Sequence, residues 1–160
     1  IDLGWNITMP GSALPQEMES ALRDEYEGYE RLLRLSEEQI SVLRQADPDI
    51  EKAAALMHQK VKLAGELRAI EHGHADLKER WEQEYSVCSD AERQAVARMR
   101  DQTVAVIERL LQLENETIEA LHACKMEVGR RLNALQQGRH AASAYFTPER
   151  QPPRFVDKFK

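Results

Sequence analysis

Apolar residues return along this chain in alternating steps of four and three, the spacing that keeps them on one side of an α-helix. Leu22, Tyr26, Tyr29, Leu33, Ser36, Ile40 and Leu43 form a first stripe in which Ser36 is the polar member. A second begins at Ile50 and runs through Ala54, Met57, Val61, Ala64, Leu67, Ile70, His74, Leu77, Trp81 and Tyr85. A third passes from Val96, Met99, Thr103, Val106, Leu110, Leu113 and Thr117 to Leu121, Cys124, Val128, Leu132 and Leu135. The third is sustained for more than five heptads, long enough to read as a coiled-coil-like seam.

The boundaries of these stripes carry recognisable capping chemistry. Asp47 is suited to cap a helix whose first residue is Pro48, because proline has no N–H to leave unpaired there. Ser89-Asp90-Ala91-Glu92 reads as a capping box: the serine hydroxyl takes the amide three residues on, and the glutamate reaches back. Gly138 follows the last periodic residue and suits a left-handed C′ position. The expected helices are 15–46, 48–85 and 90–137. The first two stripes stay in phase across Asp47-Pro48, so one kinked rod competes with an antiparallel hairpin whose turn draws on Arg44 to Ala46. The hairpin is preferred, since a rod would leave the first stripe without a cover. The expected fold is all-α, an elongated antiparallel three-helix bundle or coiled-coil-like hairpin over 15–138. An N-terminal extension, 1–14, precedes it, and a flexible C-terminal tail, 139–160, follows.

Composition sharpens this picture. Between Pro48 and Pro148 lie 99 residues without proline, rich in Leu, Ala, Glu, Gln, Arg and Lys, a long-helix composition. Charged residues at 31% and aromatics at 6% argue against a β-sandwich or barrel. A net charge of −6 argues against generic nucleic-acid binding. No run approaches the ~20 apolar residues of a membrane span, so no membrane insertion is expected. Ile1 to Pro15 lacks the basic and apolar regions of a secretory signal, and Met9 offers a start that would leave residues 1–8 as an added extension. Cys88 and Cys124 lack zinc-type spacing and read as thiols of a reducing, cytoplasmic compartment.

The motifs of chemistry do not assemble. Gly28, Gly65, Gly73 and Gly129 stand alone within helical patterns rather than in a phosphate loop. Close helix approach or flexibility is the better reason for them. His72 and His74 lie two apart, as do His122 and Cys124, and residues at that spacing diverge on a helix, so neither pair chelates a metal. Glu66, Glu71 and Glu79 beside Arg68, Lys78 and Arg80 read as a solvated face. No catalytic residue, metal site or cofactor is expected, and the chain does not read as an enzyme.

The C-terminal end is the informative part. If the second and third helices fold back at Cys88, Cys124 faces the neighbourhood of Lys52 and everything beyond Val128 overhangs. Val128, Leu132 and Leu135 then lack a complete cover, unless the inter-helix turn or a dimer mate supplies one. All three phenylalanines, Phe146, Phe155 and Phe159, fall in the last fifteen residues beside Tyr145. From Arg139 onward five Lys/Arg against two Asp/Glu give +3, leaving −9 on residues 1–138. Such a segment either docks on the acidic bundle or grips a partner.

In several stretches the chain resembles the FlgN-like flagellar export chaperones over roughly residues 18–160. The resemblance lies in Tyr29-Glu30-Arg31-Leu32-Leu33, the Asp47-Pro48-Asp49 break, the Lys60 to Ile70 segment and the long third helix. The ending Gly138-Arg139-His140-Ala141-Ala142-Ser143-Ala144-Tyr145, followed by Arg154-Phe155-Val156-Asp157-Lys158, looks like that family's closing motif. A glycine often follows the tyrosine in the family, where this chain has Thr147-Pro148-Glu149-Arg150. The resemblance implies a cytoplasmic chaperone of flagellar type III secretion, needing no cofactor. Such a chaperone binds the C-terminal helical segments of hook-associated proteins, prevents their premature assembly and delivers them to an export-gate component. Carried onto this sequence, the client-binding residues would be Val128, Arg131, Leu132, Leu135 and Ala142, within the family's binding helix at about 128–144, and the export-gate contact Tyr145 with Phe146. Arg130 and Arg139 would help fix the client's register. A weak homodimer is a further expected association. The competing reading is a structural coiled-coil protein that self-associates or scaffolds partners, with no export role.

Overall fold

The computed structural model describes residues 13–146. Among these the elements are α1 (Leu14–Leu43), α2 (Ile50–Gly73), α3 (Ala75–Glu84), a 3-10 turn at Tyr85–Val87 and α4 (Asp90–Phe146), with no strand. The fold is an all-α helical bundle. The described residues divide into two compact units, one up to Leu121 and one from His122.

In the first unit α1 and α2 form the antiparallel hairpin and not the kinked rod. Gln39 Nε2 donates to the Ala53 carbonyl at 3.1 Å near the turn, and Tyr29 reaches Glu71 at the far end of α2. The turn is longer than the capping signals implied. The cap of α2 is Asp49 rather than Asp47: its carboxylate accepts the Lys52 amide at 2.9 Å, and Pro48 stays outside the helix. Reversing the chain takes residues from both sides, so α1 ends at Leu43 and the start of α2 moves to Ile50.

The expected helix 48–85 is two helices. At His74 the backbone sits at φ −92°, ψ 0°, and its N–H is shared between the Ile70 and Glu71 carbonyls. Gly73 lowers the cost of this break, and His74 Nδ1 lies 2.9 Å from Glu25 Oε1 on α1. The capping box forms: Glu92 N–H donates to Ser89 Oγ at 3.3 Å, and Ser89 N–H donates to Glu92 Oε2 at 2.8 Å. That carboxylate is held below its ordinary range chiefly by the serine hydroxyl, then by the serine amide. At the other end α4 does not stop at 137. No described glycine has a positive φ, and the helix passes through Gly138 to Phe146. One helical glycine costs only about 1 kcal/mol, less than the surrounding Leu, Gln and Ala return in propensity.

The core sits in layers of different character. Where α1 begins, Leu14, Met18 and Leu22 pack with Trp81, Cys88 and Val96, with Leu77 and Met99 against them. Trp81 meets Tyr85 edge to face at 5.8 Å, and Arg93 stacks over Tyr85. Near the α1–α2 turn Ile40, Leu43, Ala53 and Leu56 are buried. Between the two lies a polar layer. Ser36 and Gln39 are fully buried; Ser36 Oγ donates to Glu114 Oε1 at 2.9 Å. Lys60 Nζ bonds both Glu114 and Gln39 Oε1, the latter at 3.0 Å.

This placement revises the second stripe. The buried residues of α2 are Ala53, Leu56, Lys60, Leu63 and Leu67, while Ile50, Met57, Val61 and Ile70 are exposed. The third stripe holds as core at Val96, Thr103, Leu110, Leu113 and Thr117, but Leu121 is exposed.

Candidate functional site

Within the second unit, taken by itself, the end of α4 carries the residues marked in the sequence. Val128, Leu132 and Leu135 follow at steps of four and three and share one helix face. They are 60%, 54% and 68% exposed. Ala142 continues the same face one heptad beyond Leu135 and is also exposed. Tyr145 is 89% exposed on the adjoining face. Phe146 is the last residue of the helix, and its side chain lies outside the described residues, as do Phe155 and Phe159.

The basic residues there are tied to the helix surface. Arg130 donates to both oxygens of Glu127 at 2.9 Å, and Arg131 Nε donates to Glu127 Oε1 at 2.8 Å. These guanidinium groups, Arg130 foremost, hold the Glu127 carboxyl below the usual carboxylate range. An anion arriving beside the apolar face would meet guanidinium groups whose charge Glu127 already offsets in part. The apolar residues are therefore the stronger recognition element.

The sequence reading missed a second apolar surface. In the first unit a groove runs between α2 and α4, with Tyr29 and Leu32 at its base and Met57, Val61, Ile107 and Leu111 on its walls. Lys60 and Glu114 stand at its edge. The signal was present in the sequence: Val104, Ile107, Leu111 and Ile118 are spaced by three, four and seven, a stripe separate from the core stripe of the same helix.

A cavity of about 620 Å³ opens among α1, α3 and α4, beside Leu22, Tyr29, Trp81 and Thr103. Glu25, Glu71 and Lys78 in its lining are engaged between helices. Lys78 Nζ lies 2.7 Å and His74 Nδ1 2.9 Å from Glu25 Oε1, and Tyr29 donates to Glu71 at 2.5 Å. Glu71 and Lys78 thus belong to inter-helix contacts and not to the solvated face that their spacing implied. Among the described residues no group of three or more His, Cys, Asp or Glu is placed to hold a metal ion. No described helix is long and apolar enough to cross a membrane. Neither Cys88 nor Cys124 forms a disulfide.

No protein-family model, curated protein or solved structure matches the chain.

Proposed function

We propose that the chain is a cytoplasmic flagellar type III export chaperone that captures the C-terminal helical segments of hook-associated proteins, keeps them from assembling early and presents them at the export gate. The observation that carries this reading is the exposed face Val128, Leu132 and Leu135 on α4. Segments that polymerise outside the cell have amphipathic, self-adhesive ends. A bare apolar helix face holds such an end by helix-on-helix packing, with affinity drawn from apolar area at about 25 cal/mol per Å² before ordering costs. Release requires no covalent step. Tyr145 then serves as the contact for the export-gate component, Phe146 beside it.

The test is capture of a synthetic peptide taken from the C-terminus of a hook-junction protein. Leu132→Asp with Leu135→Asp abolishes capture while circular dichroism shows unchanged helix content. Undiminished capture by that double variant would remove this surface from the reading. The second reading, a self-associating coiled-coil protein, is favoured by one observation: the exposed apolar stripe of Val104, Leu111 and Ile118 in the first unit, which the export reading does not use.

A further inference from the structure

From Val104 to Leu135, residues spaced alternately by three and four define ten successive a and d positions of a heptad pattern along α4. This seam is distinct from the core stripe: Leu110, Leu113 and Thr117 are buried, whereas Leu111 is 62% and Ile118 63% exposed. Eight of the ten seam positions are apolar, and the two exceptions are Glu114 and Lys125. The seam lasts more than four heptads, the length at which such a pattern specifies helix pairing.

The arrangement of the two exceptions selects the partner. The midpoint of the seam falls between Glu119 and Ala120, and each a position lies as far on one side of it as a d position lies on the other. A second copy of α4 laid antiparallel about a two-fold axis at that midpoint sets a against d in every layer. Val104 faces Leu135 of the second copy, Leu111 faces Val128, and Ile118 faces Leu121. Ile107 faces Leu132, and Glu114 faces Lys125. Lys125 thereby faces a carboxylate that Ser36 and Lys60 bond at one oxygen only, twice over by symmetry. A parallel, in-register pair would set Lys125 on Lys125, like charges that oppose association. Sliding the antiparallel pair by one heptad separates the two charges and leaves apolar positions uncovered at both ends.

We infer that the chain forms a closed antiparallel homodimer through α4, with Glu114 and Lys125 fixing its register. The groove in the first unit supports this occupant. Where Ile107 and Leu111 would receive Leu132 and Val128 of the second copy, Met57 and Val61 of α2 form the opposite wall, so the arriving helix meets apolar residues on two sides. Glu114 keeps the capacity to bind Lys125: Ser36 and Lys60 both bond its Oε1, and a carboxylate accepts further donors at its other oxygen. Lys125 is exposed.

The dimer and the export reading fail separately, because peptide capture is measured without reference to self-association. If both hold, captured peptide and second copy compete for Val128, Leu132 and Leu135. The experiment uses the full chain, first by sedimentation across concentration and then by disulfide trapping with Cys124 replaced by serine and Cys88 left buried. The expected mass is twice that of one chain. Lys125→Glu, a change at an exposed position, weakens self-association at least about tenfold by facing Glu114 with a like charge. A mixture of Leu111→Cys and Val128→Cys chains gives a cross-linked dimer on mild oxidation. Leu111→Cys alone does not, since its two copies would lie about 26 Å apart along the axis at 1.5 Å per residue. A one-chain mass at every concentration, self-linking of Leu111→Cys, or a Lys125→Glu dimer as tight as the wild type would each overturn the inference.

Discussion

A Cβ built on Gly28 would stand 2.7 Å from Leu67 Cδ1, so α1 and α2 approach closely at this point. Leu67 is buried at 3% exposure, and the missing side chain is what lets it seat against the α1 backbone. Gly65, two residues earlier on α2, has nothing within 4 Å of the place its own Cβ would take.

These two glycines therefore respond differently to alanine. Gly65→Ala gains helix propensity, up to about 1 kcal/mol, and meets no neighbour. Gly28→Ala gains the same propensity but drives Leu67 from its rotamer and overfills the layer, at about 1–3 kcal/mol. Thermal unfolding at one protein concentration should rank Gly65→Ala above the wild type and Gly28→Ala below Gly65→Ala. The reverse order would mean that the two helices do not touch there.

The polar layer gives a second asymmetry. The Lys60 side chain is 7% exposed and that of Glu114 38%, so the cost of breaking the pair depends on which partner is left behind. Glu114→Ala strands a buried ammonium with Gln39 as its remaining bond and should cost about 2 kcal/mol, reduced from fully buried values by the exposure of the carboxylate. Lys60→Met leaves a carboxylate that water still reaches, and should cost about half as much. The double variant, with no charge to strand, should fall closer to the wild type than the sum of the two, and chemical denaturation through the double-mutant cycle measures the difference. Strict additivity would show that the pair contributes no coupling.

How far the sequence carried depends on the helix. On α1 the apolar and polar residues segregate, and Leu22, Ser36, Ile40 and Leu43 are buried as the periodicity implied. On α2 apolar residues surround the helix, so two stripes fit equally well by spacing. Lys60 disguised the true one, because a lysine at the centre of a buried face reads as solvent until Glu114 and Gln39, 54 and 21 residues away in sequence, are seen to bond it. The same blindness hid the groove. Val104, Ile107, Leu111 and Ile118 share the helix with a stronger core stripe, and the burial of the latter shows that α4 has two. The exposure of Val128, Leu132 and Leu135 was legible, since the sequence count leaves that stretch without a facing segment. Gly138 misled in the other direction: glycine permits a left-handed stop but does not require one.

Tyr29 links the helix contacts to pH. Its hydroxyl donates to Glu71 Oε1 at 2.5 Å, and its ionisation is pushed well above the ordinary tyrosine range, first by burial, then by that hydrogen bond and by the charges of Glu71 and Glu25. A group whose pKa is raised on folding adds stability that is fully present below its unfolded value, about 10 for tyrosine, and is lost as pH rises through the folded value. Relative to Tyr29→Phe, the wild type should therefore hold a constant advantage from neutral pH to about pH 10 and lose it progressively above. Denaturation midpoints of both chains, measured at matched concentration across that range, give the comparison directly, and titrating lysines cancel because both chains carry them. Spectrophotometric titration adds an independent readout: Tyr26, hydrogen-bonded to Glu30, is also raised, so the expected change in the Phe variant is loss of the latest-ionising component. A stability difference that stays flat to strongly alkaline pH would mean the hydroxyl does not reach Glu71, and with it the contact between the middle of α1 and the end of α2 would fall.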